Sequence, residues 1–211
     1  MLAQIVLLGG LAVAVGVAPF GWLACGLWAV LGYVVLLPHA DRLGPASRVT
    51  LARAVLIGGV IALVVDGSHA ELLAILAAVA LALDAVDGVV ARRTGTVSAL
   101  GARFDMEADA ALLLALSVAA VEQVGLWVLA IGLMRYVFAA AGAAAPWLRA
   151  GLPFSRSRKV VAAWQGVTLA VVVSRVCPDW LATAGAALSL ALLTWSFARD
   201  TVWLHRRRSD R

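Results

Sequence analysis

Apolar segments of near membrane-crossing length follow one another along almost the whole chain, and that pattern removes most folds from consideration. A helix needs about 20 residues to cross the hydrocarbon core of a bilayer. Eight segments approach that length, at 3–18, 21–37, 49–66, 71–93, 102–121, 125–146, 159–176 and 180–199. The breaks between them fall at Pro19 with Gly21, at Pro38, at DGSHAE, TGTVSALG and EQVG, from Pro146 to Pro153, and at Pro178. Charged residues make up 14% of the 211 positions and hydrophobic ones 64%, against roughly a quarter charged in a soluble domain. The sequence therefore predicts an all-α integral membrane protein with no soluble domain of useful size. MLAQIVLLGG has no basic residue ahead of its apolar run, so the first helix is read as retained and not as a cleaved leader.

If every segment crosses and the N-terminus is cytoplasmic, the basic residues collect on one side. Arg42, Arg48, Arg53, Arg92, Arg93, Arg103, Arg149, Arg156, Arg158, Lys159 and the arginines from Arg199 onward all fall there. Arg175 alone falls on the far side, and Arg135 alone lies well inside a helix. This is a positive-inside bias, and it predicts a multi-pass protein of the cell (inner) membrane with both termini cytoplasmic. Trp22, Trp127 and Trp180 fall near the outer ends of spans and Trp147 and Trp203 near the inner ends, as interfacial belts require.

Several function classes drop out. Cys25 and Cys177 have neither CxxC spacing nor a nearby His, so neither a zinc site nor a disulfide framework is expected. His39, His69 and His205 are scattered and receive no role. The formal charge of +5 could point to nucleic acid, but the basic residues lie between apolar runs, where orientation and anionic headgroups account for them.

One stretch departs from the apolar rule. Asp84 and Asp87 are spaced i, i+3 on the fourth helix, and Asp105 and Asp109 are spaced i, i+4 on the fifth, so each pair shares a helix face. A short loop joins the two helices, which places both pairs near cytoplasmic ends and within reach of each other. An ionised aspartate within a membrane helix costs about 2.5–3.5 kcal/mol on insertion scales, so four of them require compensation. Divalent cations supply it, and oxygen ligands without Cys or His suit Mg²⁺ or Mn²⁺. Two such metals can clamp a diphosphate, which predicts phosphoryl-type transfer at the cytoplasmic membrane surface. The carboxylates alone also fit an ion or proton pathway, or an ion-pair cluster with Arg92, Arg93 and Arg103.

Gly88 and Ala91 remove side-chain bulk beside the carboxylates, and Arg92 follows where phosphate oxygens could be met. The full pattern, Asp84-x2-Asp87-Gly88-x2-Ala91-Arg92-x8-Gly101-x3-Asp105-x3-Asp109, resembles at every fixed position the motif of the CDP-alcohol phosphotransferases, also called CDP-alcohol phosphatidyltransferases. The resemblance covers residues 48–200 and leaves the two leading helices outside it. It implies a six-helix catalytic core preceded by two extra N-terminal transmembrane helices. It also implies transfer of a substituted phosphate from a CDP-linked donor to an alcohol, with release of CMP. By the same resemblance Asp84, Asp87 and Asp105 would ligate two metals, and Asp109 would be a further ligand or the base that deprotonates the acceptor. Gly88, Ala91 and Gly101 would make room for the nucleoside, with Arg92 on the diphosphate.

Two further stretches resemble family features. In RVTLAR, Thr50 and Arg53 match a T-x-x-R element near the nucleotide, while Ser47 or Arg48 stands where the family usually has Asn; capping and a snorkelling arginine are the plainer reading. In RKVVAAWQ, Lys159 and Gln165 match a K-x-K-T-x-x-Q element, but Val161 and Ala162 replace its second Lys and its Thr. Arg158 and Lys159 are candidates for an acceptor phosphate, against a purely topological role. Arg135 is too deep for casual snorkelling and is expected to neutralise a carboxylate or a bound phosphate.

The resulting division is an N-terminal hairpin at 1–37, a juxtamembrane segment at 38–48, a six-helix catalytic domain at 49–200 and a basic tail at 201–211. The resemblance implies CDP-diacylglycerol as donor, a small polar alcohol as acceptor, membrane lipids as surroundings and a homodimer as assembly. An ion or proton transporter and a catalytically silent scaffold are the rival classes; cation-dependent CMP release separates them from a transferase.

Overall fold

The computed structural model describes residues 2–36, 45–67, 69–94, 99–149 and 155–209. Among these residues every regular element is a helix: α1 (Leu2–Val15), α2 (Pro19–Leu36), α3 (Pro45–Asp66), α4 (Ala70–Thr94), α5 (Ala99–Val124), α6 (Leu129–Ala144), α7 (Arg156–Val173) and α8 (Asp179–Ser209). Short 3₁₀ turns, Leu126–Val128 and Pro146–Arg149, flank α6. The predicted all-α architecture is observed, with one helix for each predicted segment. Most of the predicted juxtamembrane segment and the end of the basic tail lie outside the described residues.

Helix ends shift for local reasons. α3 starts at Pro45, four residues earlier than predicted, because proline is well suited to a first helical turn. Gly125 adopts φ 103°, which ends the α5 run and delays α6 until after the 3₁₀ turn. α8 runs on past the predicted end at 199. Its extension has packing to hold it: Leu204 is buried, and the His205 ring meets Trp147 edge-on at 5.6 Å.

Among the described residues three segments are long and apolar enough to cross a membrane on their own, Val49–Asp66, Leu126–Ala144 and Asp179–Arg207. Leu2–Ala14 and Pro19–Val34 are apolar but shorter. α4, α5 and α7, which carry the candidate aspartates and Arg158 with Lys159, are not among these three. The outer face of α2 leaves Phe20, Leu23, Leu27, Leu31 and Val34 uncovered, as a lipid-facing surface requires.

α3 is the centre of the bundle, packed by α4 and α5 on one side and by α1 and α2 on the other. Ile57, Val60 and Leu63, spaced by three along α3, are buried in one cluster with Ala77 and Ala80 of α4 and Leu112 and Leu116 of α5. Ala62 belongs to a second cluster with Leu8, Leu11, Val17 and Cys25, which attaches the N-terminal hairpin. Buried and partly buried polar bonds reinforce that attachment. The Gln4 amide donates to Cys25 Sγ at 2.7 Å and to the Val55 carbonyl at 3.2 Å. The Trp28 indole donates to the Ala54 carbonyl at 2.8 Å, and the Ala18 N–H donates to Asp66 Oδ1 at 2.9 Å.

α5 and α6 meet through a glycine. A Cβ added at Gly132 would lie 2.6 Å from Leu114 Cα, so only a residue without one permits this backbone approach. Gly26, by contrast, has nothing within 4 Å of such an atom. Gly132→Ala is therefore expected to lower the thermal midpoint of the purified protein in detergent, at a cost of about 1–3 kcal/mol for the forced displacement. Gly26→Ala, measured alongside, should be neutral or slightly stabilising.

Candidate active site

Three of the four aspartates predicted to converge, Asp84, Asp105 and Asp109, do so around a side chain from a third helix. Arg53, on α3, is fully buried, and its guanidinium donates from Nη1 to Asp84 Oδ1 on α4 at 2.6 Å. From Nη2 it donates to Asp105 Oδ1 at 2.5 Å and Asp109 Oδ1 at 2.9 Å, both on α5, and to the Asp105 carbonyl at 3.3 Å. The carboxylate side chains are 43%, 36% and 42% exposed, so the arginine forms a dry floor beneath an open acidic rim.

The local sequence explains this placement. Asp105 and Asp109 lie one turn apart on α5, and Gly101 lies one turn before Asp105, so all three share a face. Thr50 is buried one turn before Arg53 on α3. Asp87, Gly88, Ala91 and Arg92 belong to α4, and their side chains lie outside the described residues.

The site can be tested for a hard divalent cation by its donors. One oxygen each from Asp84, Asp105 and Asp109 lies within 4.8 Å of the others. All are carboxylate oxygens, the ligand type of Mg²⁺ and Mn²⁺. A cationic group, the Arg53 guanidinium, already sits among them, and three carboxylates against one guanidinium leave a formal surplus of two negative charges. The residues fit such an ion.

The other predicted residues have partners of their own. Arg135 on α6 pairs through Nη2 with Glu107 Oε1 on α5, so of its two expected roles the structure displays carboxylate neutralisation. Arg158 Nη1, at the start of α7, lies 3.2 Å from Asp200 Oδ2 on α8. Asp200 is buried and also stands 3.6 Å from Arg199, which donates to the Ser157 and Ser155 hydroxyls at 2.9 and 3.2 Å. Lys159 is exposed beside this network. Gln165 is buried, with an Nε2 that has no hydrogen-bond partner among the described residues.

Sequence reasoning missed Glu107 and Asp200. The signals were an acid two residues past Asp105 and a lone acid within a basic helix end.

A helical membrane protein with carboxylates gathered round a buried cation is the class that fold and site define. A family model for CDP-alcohol phosphatidyltransferase matches residues 45–197. The chain belongs to the CDP-alcohol phosphatidyltransferase family, whose members transfer a phosphatidyl group from a CDP-linked donor. No curated protein and no solved structure matches the chain.

Arg53→Met would strand three carboxylates beside an apolar side chain. The expected loss is on the order of 3 kcal/mol, because one partner of a buried charge cluster is removed. Thermal unfolding in chelator should reveal that loss, and added Mg²⁺ should recover much of it by supplying the missing positive charge; equal stability of the two proteins in chelator would contradict the assignment.

Proposed function

We propose that the protein transfers the phosphatidyl group of CDP-diacylglycerol to the hydroxyl of a small polar alcohol, releasing CMP, as a step of phospholipid synthesis. The observation that carries this reading is the convergence of Asp84, Asp105 and Asp109 on adjacent helices, within a chain of this family. Asp84, Asp87, Asp105 and Asp109 would hold two divalent ions, Mg²⁺ or Mn²⁺. A divalent ion bound there supplies Lewis-acid stabilisation of charge on diphosphate oxygens.

The chain's own residues account for the remaining work. Arg92 and the low-bulk positions Gly88, Ala91 and Gly101 would seat the cytidine diphosphate, with Thr50 and Arg53, expected beside the nucleotide, forming the buried floor beneath it. Asp109, on the exposed rim, takes the proton of the acceptor hydroxyl in its role as base. The acceptor oxygen then bonds to the phosphorus that carries the diacylglycerol, and the bond from that phosphorus to CMP breaks. Arg135, Arg158 and Lys159 would favour an acceptor that itself bears phosphate, such as an inositol phosphate or glycerol phosphate.

On the same reading 49–200 is the catalytic domain, 1–37 an accessory membrane hairpin, 38–48 a juxtamembrane joint and 201–211 a basic end. The protein would sit in the cell membrane as a homodimer, with both termini and the open acidic rim on the cytoplasmic side. The pull of basic residues to that side supports this orientation.

Incubation of purified protein with CDP-diacylglycerol, Mg²⁺ and a panel of alcohols should release CMP, and the mass of the lipid product would name the acceptor. Asp105→Asn and Asp109→Asn are each expected to slow release by at least about 100-fold while the protein stays folded. Undiminished turnover in either variant would refute the role of that aspartate.

A further inference from the structure

At the opposite end of the bundle from the aspartates lies a cavity of about 640 Å³. Its apolar lining includes Leu73, Val118 and Leu129, and its polar groups are His69, Glu122 and Arg175. The separation follows from helix geometry. Arg53 and the cavity residue Gly67 are 14 residues apart in the α3 run and its exit turn, as are Ala70 and Asp84 on α4, which corresponds to about 20 Å along the axes. That distance puts the cavity near the other membrane surface from the acidic rim.

Two features distinguish it from an incidental gap between helix ends. Its volume falls within the usual range of roughly 300–1,000 Å³ for small-molecule sites. The described non-glycine residues with positive φ are His69 at 60° and Arg175 at 55°, and both line it. L-residues adopt that conformation against a steric cost, so the turns that bring these two residues to the cavity lining hold in spite of it.

The charges indicate what the cavity would accept. Arg175 Nη2 lies 2.7 Å from Glu122 Oε2, and the two side chains are 58% and 75% exposed. An ion pair so open to solvent is weakly held, and each member keeps polar capacity for a ligand. A simple anion would meet Arg175 but be repelled by Glu122, and a simple cation would face the converse. A molecule with both charges a few atoms apart satisfies the pair together, and its apolar part can occupy the wall of Leu73, Val118 and Leu129.

We propose that this cavity is a second lipid site, selective for a zwitterionic headgroup whose phosphate meets Arg175 and His69 and whose ammonium meets Glu122. Its occupant is distinct from the nucleotide-linked donor at the acidic rim, and the site stands independently of the transferase reading.

The test uses the full chain purified in dodecyl maltoside and native mass spectrometry with dioctanoyl phosphatidylethanolamine. Dioctanoyl phosphatidylglycerol and tail-free phosphorylethanolamine serve as the other arms. Saturable binding of one phosphatidylethanolamine is expected, weakened about tenfold or more by Arg175→Asn, in which Asn tolerates the left-handed backbone, and by Val118→Trp, which fills the cavity. Glu122→Gln should weaken the ethanolamine lipid by a similar factor and, by removing the charge that repels an anion, leave the anionic glycerol lipid bound as tightly or more tightly. The proposal is overturned if Glu122→Gln affects both lipids alike or if Arg175→Asn keeps full affinity. Binding of phosphorylethanolamine as tight as that of the lipid would also overturn it. Should Val118→Trp fail to fold, the two charge variants decide.

Discussion

The guanidinium of Arg53 has no exposure to solvent, and three carboxylates from two other helices close on it. Each side of this cluster requires the other. A buried arginine without counter-charge is prohibitively costly, and aspartates within a membrane bundle need a cation nearby. The cluster therefore sets the mutual register of α3, α4 and α5 at the end where they carry charge. Everything proposed for the acidic rim depends on that register, because Gly101 and Asp109 are fixed relative to Asp105 by one helix, and Asp84 is tied to them by its bond to Arg53 together with the packing of α3 against α4 and α5.

The rest of the bundle makes this charged end tolerable. Beyond the cluster α3 turns apolar, and Ile57, Val60 and Leu63 bury against α4 and α5. The opposite face of α3 is taken by the N-terminal hairpin, held by Gln4, Cys25, Trp28 and Asp66. α3 is thus covered on both sides, and Arg53 is kept dry although the carboxylates it supports remain open. The two ends of the bundle differ in what they gather: at one, three carboxylates around a single guanidinium, and at the other a cavity lined by the paired Arg175 and Glu122.

Much of this was legible in the sequence. Apolar length fixed the helices, proline and glycine marked the breaks, and the i, i+3 and i, i+4 spacings put the aspartates on facing surfaces. Arg53 was assigned beside the nucleotide, and its position at the centre of the carboxylates could not be read, because a contact between three helices depends on crossing geometry that no single-helix period encodes. Glu107 was overlooked because it points away from the face shared by Asp105 and Asp109, toward Arg135. Asp200 was overlooked because apolar periodicity fades near 199, although Leu204 continues the buried face of α8 beyond it. His69 and Arg175 carried no motif; their left-handed backbone, and the cavity they line between turns remote in sequence, belong to the fold and not to a local pattern.

The central claim is that the acidic rim holds a divalent ion against a nucleotide-linked diphosphate. Pulsed electron paramagnetic resonance on purified protein loaded with Mn²⁺ and CDP-diacylglycerol addresses it directly, through hyperfine coupling to phosphorus. A phosphorus coupling that appears with the donor lipid, and is lost together with bound Mn²⁺ in Asp84→Asn, is the predicted result. Mn²⁺ that binds equally well to the wild-type protein and to Asp84→Asn, or that shows no phosphorus coupling with the donor present, would contradict it.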